Sequence, residues 1–126
     1  MLKKILIAAA LMVTTMQAAD RVFELRTYTT NEGKLPDLLK RFRDHTTRIF
    51  EKHGMTNIGY WVPKDKPNTL IYVIAFPSRE AATKAWDAFR ADPEWQKVSK
   101  ASEENGKIVT HVDSVFMDPA DFSLIK

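Results

Sequence analysis

The chain of 126 residues contains no cysteine. Disulfides, a thiol nucleophile, a cysteine-ligated metal and a lipid-modified N-terminal cysteine are all excluded with it, so the fold must stand on packing and hydrogen bonds. Glycine is scarce, with 4 residues, at 33, 54, 59 and 106. A glycine-rich phosphate cradle or a dinucleotide fingerprint needs closely spaced glycines, and this spacing supplies neither. There is also no Gly-x-Ser-x-Gly elbow. Ser78 is placed to cap a helix, and Ser114 and Asp113 are strand neighbours that point to opposite faces, so no Ser-His-Asp constellation forms. The 3 histidines, at 45, 53 and 111, show no H-E-x-x-H, no i, i+4 pairing and no adjoining acidic cluster. No metal site and no cofactor is assigned from them.

What is present is ordinary globular material, 44% apolar and 28% charged, in a length that suits one domain. Lys3 and Lys4 precede an apolar stretch from Ile5 to Val13 and a small-residue exit at Met16-Gln17-Ala18. This is the pattern of an export signal, and the stretch is too short for a bilayer, which needs roughly 20 residues. We expect a signal peptide over 1–18, a mature domain over 19–126, a periplasmic or secreted location and no integral membrane segment after cleavage. Once Lys3 and Lys4 are discounted, 17 of the 19 basic side chains remain against 16 acidic ones. So balanced a charge gives no footprint for nucleic acid.

Period-two alternation predicts a first strand over Arg21–Thr30, with Phe23, Leu25 and Thr27 on one face and Glu24, Arg26 and Tyr28 on the other. From Leu35 the apolar spacing becomes helical, running through Leu38, Leu39, Phe42, His45, Ile49 and Phe50 to a stop at His53-Gly54. Thr56–Val62 and Leu70–Phe76 read as hairpin strands around a proline-bounded loop, the second of them central and apolar on both faces. Ser78 caps a helix over Arg79–Ala91, and Asp92-Pro93 starts a shorter one to about Glu104. Lys107–Met117 is the last strand, and Asp118-Pro119 opens an irregular tail.

The order β-α-β-β-α-(α)-β is the split arrangement of the ferredoxin-like α+β fold, a four-stranded antiparallel sheet with helices on one face. The other face keeps large apolar side chains and has no helix left to cover it. A second copy of the sheet is the simplest cover, making a homodimer in the form of a dimeric α/β barrel.

Several runs carry a family likeness: Glu24-Leu25-Arg26-Thr27-Tyr28 leading to Gly33-Lys34-Leu35-Pro36, then Phe42-Arg43-Asp44-His45, Gly59-Tyr60-Trp61-Val62 and Ala91-Asp92-Pro93-Glu94-Trp95-Gln96. In this order and spacing they resemble the NIPSNAP family, from about Phe23 to Phe122. The resemblance implies a dimeric α/β-barrel fold, shared with antibiotic-biosynthesis monooxygenases, haem-degrading oxygenases and chlorite dismutases. It implies little about activity, because bacterial NIPSNAP proteins largely lack an assigned reaction.

Candidate site residues follow from spacing. His45 falls on the inward stripe of the first helix, where it is either a core histidine bonded to Arg26, Tyr28 or Tyr60, or a catalytic base. Tyr60, Trp61 and Tyr72, with Arg26, Tyr28 and His45, are candidates to line an aromatic pocket for a flat or apolar ligand. The bland alternative is core or dimer packing, which aromatics in sheets serve more often. His53, at a helix end, is expected only to favour the terminal carbonyls. The leading expectation is therefore an exported protein, not assigned as an enzyme, that binds a small apolar or aromatic molecule or a protein partner. The rivals are a cofactor-free monooxygenase or isomerase using His45 as base, and a haem-binding module with His45 or His111 as axial ligand.

Overall fold

The computed structural model describes residues 3–5, 7–11 and 20–126. The expected leader overlaps this only in part, and the expected scissile bond after Ala18 lies outside the described residues. The elements are β1 (Val22–Thr30), α1 (Leu35–Arg41), a π-helical segment (Phe42–Thr46), α2 (Thr47–Lys52), β2 (Thr56–Trp61), β3 (Thr69–Phe76), α3 (Arg79–Ala91), α4 (Pro93–Ser102) and β4 (Val109–Met117). Among the described residues no helix is long and apolar enough to cross a membrane.

The strands form one sheet in the order β2-β3-β1-β4, antiparallel throughout. Residues directly opposite each other share a face. The pairs Glu24↔Ile74, Arg26↔Tyr72, Tyr28↔Leu70 and Arg26↔Ser114 thus build the face under the helices, while Leu25↔Val73, Leu25↔Val115 and Phe23↔Met117 build the other. The core lies between sheet and helices, with Leu38, Ile49, Leu70, Tyr72 and Ile74 at most 1% exposed. Burial of such side chains contributes about 1.5–3 kcal/mol each.

Local chemistry sets the helix starts. The Ser78 hydroxyl accepts the Ala81 N–H at 3.0 Å, and Asp92 Oδ1 accepts the Glu94 N–H at 2.8 Å, both satisfying donors that a helix start leaves unpaired. Gly54, at φ +79°, turns the chain out of α2 in the left-handed region that other residues avoid.

The helical stripe expected over Leu35–Phe50 is interrupted by the π segment. A π turn takes up one more residue than the usual about 3.6 per turn. Buried positions therefore fall at Leu38, Arg41, Phe42, Thr46, Ile49 and Phe50, and His45 is exposed. The Thr46 and Thr47 hydroxyls donate to the carbonyls of Arg41 at 3.3 Å and Phe42 at 3.1 Å, satisfying oxygens at the wide turn.

The sheet's other face has no helix on it. Trp61 and Val115 are each 54% exposed there. The tail after Met117 returns along this face, so that Phe23, Val73, Met117, Pro119 and Phe122 border a cleft of about 400 Å³. Its side chains Phe122 and Leu124 nevertheless stay exposed.

Candidate functional site

From Glu24 onward the helix-facing positions of β1 are polar. Glu24 is 1% exposed and Tyr28 is 9% exposed, and Arg26 lies between them with its side chain at 14%. Burying a carboxylate is costly unless every lone pair finds a donor. Here Glu24 Oε1 accepts the Trp86 indole N–H at 2.7 Å. Its Oε2 accepts Arg26 Nη1 at 2.7 Å and the Ser114 hydroxyl at 2.6 Å. Three elements, β1, α3 and β4, meet at this one carboxylate.

Arg26 then reaches the next aromatic layer. Its Nη2 and Nε donate to the Tyr28 hydroxyl at 3.2 and 3.4 Å, and its guanidinium lies 4.3 Å from the Trp86 ring centroid. The Tyr72 hydroxyl donates to Tyr28 at 2.9 Å. Burial disfavours the Arg26 cation, but the phenols of Tyr28 and Tyr72 and the bond to Glu24 outweigh it and raise its pKa above the ordinary guanidinium value. Tyr72 and Tyr60 are pushed above the usual phenol range, in both cases chiefly by burial. Neither phenol serves as a base near neutrality. Tyr28 is different in kind, because its oxygen receives Arg26 and Tyr72 while its own proton has no acceptor besides these groups among the described residues. A phenol polarised by a guanidinium is suited to donate to an oxygen of a bound molecule.

Of the residues expected to share a pocket, the structure brings together Arg26, Tyr28, Tyr60 and Tyr72. Tyr60 stacks on Tyr72 with centroids 5.1 Å apart, and Phe42 lies 5.4 Å from Tyr60 and 5.1 Å from Tyr72. These rings fill the space between sheet and helix, so their contribution is packing. Trp61 and His45 do not join them. Trp61 is on the opposite face of the sheet, its ring against the Cα of Gly59, where a methyl group would collide with it. His45 is on the surface, bordering a groove between the α1–π segment and α4, because the π turn rotates it away from the sheet.

Sequence reasoning missed Glu24, Trp86 and Ser114. One signal was available: Glu24 and Arg26 share the strand face of Tyr28, so a face that packs on helices must pair them internally. His53 also differs from expectation, since its Nε2 lies 2.6 Å from Asp92 Oδ2, beside Lys52 Nζ at 2.8 Å. Lys52 and His53 hold the buried Asp92 carboxyl far below the usual carboxylate range, the Lys52 hydrogen bond being the largest cause.

The NIPSNAP family profile matches residues 23–124, which includes every strand but the first residue of β1 and all the helices. The chain belongs to the NIPSNAP family. This NIPSNAP protein is similar in structure to a NIPSNAP family protein of unknown function from Agrobacterium tumefaciens, at TM-score 0.74 and 25% identity over 85% of this chain and 95% of that one. An uncharacterised NIPSNAP domain protein from Burkholderia xenovorans matches at TM-score 0.69 and 26% identity, over 81% and 97% of the two chains. A variant of SnoaB, a cofactor-independent oxygenase from Streptomyces nogalater, shares the fold at TM-score 0.59 and 17% identity, over 86% and 100%. Comparison with curated proteins gives no match. Among the described residues no group of three or more histidine or acidic side chains is placed to hold a metal ion.

Proposed function

We propose that this NIPSNAP protein is exported, pairs with a second copy through the open face of its sheet, and binds a small apolar or aromatic molecule whose oxygen is met by Tyr28 and Arg26. One observation carries the binding reading. The Tyr28 hydroxyl receives hydrogen bonds from Arg26 and Tyr72, which leaves its proton to give, and Arg26 adjoins Ser114 on the exposed strand β4. The buried rings of Trp86 and Phe42 pack beside it.

Pairing is supported by the apolar side chains that the open face leaves in water, Trp61, Val115 and Phe122. A patch of this kind is unusual in a soluble monomer, and a two-fold axis lets one patch cover its own copy. Export is supported by the Lys3-Lys4 and Ile5–Val13 pattern.

Chemistry at the same place is a second reading. A phenol polarised by a cation suits stabilisation of an enolate or peroxide oxygen, as a cofactor-free oxygenase or isomerase requires. The likeness to SnoaB bears on the fold alone, and His45 is no candidate base for this reading because it is exposed. A haem reading finds no internal axial ligand in one protomer, as His45 and His111 are both exposed.

Native mass spectrometry of protein purified from its own host tests these statements together. The expected result is a dimer of a chain beginning at Ala19 or Asp20, carrying a small organic molecule that Tyr28→Phe releases. A monomer retaining Met1, or a ligand equally retained by Tyr28→Phe, would refute the corresponding statement.

A further inference from the structure

The fold buries two arginines and treats them differently. Arg26 has a buried carboxylate, Glu24, at 2.7 Å. Arg41, only 7% exposed, has none: the nearest acid is Glu103 at 3.9 Å, its side chain 38% exposed, and Nη1 donates to the neutral Ser102 hydroxyl at 3.2 Å. Its Nε–H has no hydrogen-bond partner among the described residues. A guanidinium withdrawn from water without a buried counter-charge is destabilising, and an unpaired N–H on it adds to that cost.

Arg41 borders a groove of about 600 Å³ between the α1–π segment and α4. The Trp95 ring lies 5.1 Å from the guanidinium carbon and fixes its position there. The other charges of the groove largely cancel. Asp44 is taken by Lys40 at 2.5 Å and Glu94 by Arg48 at 2.6 Å, while Asp37 lies 3.7 Å from Lys34. Lys97 has no acid within ion-pair distance among the described residues and Arg41 has only the distant Glu103 at 3.9 Å, while Val98 and Ala101 add an apolar wall.

We propose that this groove is a binding site for a small molecule bearing a carboxylate or phosphate, with Arg41 taking the anionic group and Val98 and Ala101 contacting the body of the ligand. The planar fork of a guanidinium matches both anions, and the missing counter-charge is what the ligand supplies. The Arg41 guanidinium feels the nearby Tyr28 and Tyr72 phenols, but the groove is lined by other residues, and the proposal holds whether or not the Arg26–Tyr28 network binds anything.

The test follows the Arg41 Nε–H signal by NMR in the mature protein, titrated with inorganic phosphate and separately with phenylacetate, against sodium chloride at matched ionic strength. We expect a saturable shift at Arg41, Val98 and Ala101 with at least one probe and none with chloride. Tighter phosphate binding assigns a phosphate ligand, and tighter phenylacetate binding a carboxylate with an apolar body. Arg41→Lys should weaken binding about tenfold, the cost of losing a paired, charge-assisted contact. Lys97→Glu, an exposed substitution that leaves the fold intact, should weaken it severalfold and decides the matter if Arg41→Lys does not fold. No saturable shift with either probe, or unchanged affinity in Lys97→Glu, overturns the proposal.

Discussion

The indole N–H of Trp86 donates to the carboxylate of Glu24 at 2.7 Å, joining α3 to β1 across 62 positions of sequence. This bond satisfies a buried acid that Arg26 and Ser114 approach from the other side. Trp86→Phe keeps most of the ring volume but leaves Glu24 Oε1 unpaired. The expected loss is about 1–3 kcal/mol, read as a lower urea midpoint with unchanged slope. An unchanged midpoint would mean that water replaces the indole at no cost.

His45→Ala should be close to neutral, within about 0.5 kcal/mol, because the π segment leaves this side chain in solvent. Thr46→Ala at the next position should cost more, since Thr46 is 1% exposed and its hydroxyl donates to the Arg41 carbonyl. Denaturant melts of the two variants side by side check the order. A larger loss for His45→Ala would place that ring inward.

Asp92 makes the protein sensitive to acid. Its folded pKa lies below the unfolded carboxylate value, so the folded state binds its proton less readily than the unfolded chain does. The resulting stability is fully present above the unfolded value, near pH 4, and is lost as pH falls toward the folded one. Asp92→Asn should therefore melt earlier than the parent at pH 7, with the gap closing below about pH 4. Thermal melts across that range test this, and a gap independent of pH would assign the effect to helix capping alone.

Trp61→Asp with Val115→Asp should lower the association state without lowering the content of secondary structure. Both side chains are 54% exposed on the sheet face that no helix covers, so a charge there costs the protomer little. In a sheet-to-sheet pair the same charges would be buried without partners. Light scattering and circular dichroism on one sample separate the two effects, and an unchanged mass would exclude this face as the contact.

Much of the architecture was legible along the chain because its signals are local. Ser78 and Asp92-Pro93 announce helix starts through side chains that reach only two or three residues onward, and the structure shows both caps formed. Alternation in β1 assigned residues to two faces, and the pairing register keeps that assignment. The site was less legible. His45 looks inward on any count of about 3.6 residues per turn, and the π segment that turns it outward has no period of its own to read.

Residue order was enough to settle that this chain makes four strands and their covering helices, since hydrophobic period and capping chemistry act within a few residues. It also settled membership of a family, because the runs from Glu24 to Gln96 lie in one spacing. What had to await the folded chain is which polar groups meet. Glu24 finds Trp86 and Ser114 at separations of 62 and 90 residues, His53 finds Asp92, and Arg41 finds no carboxylate to match its burial. Such meetings depend on how helices seat against a sheet, and hydrogen bonds form or fail over less than an ångström of that seating.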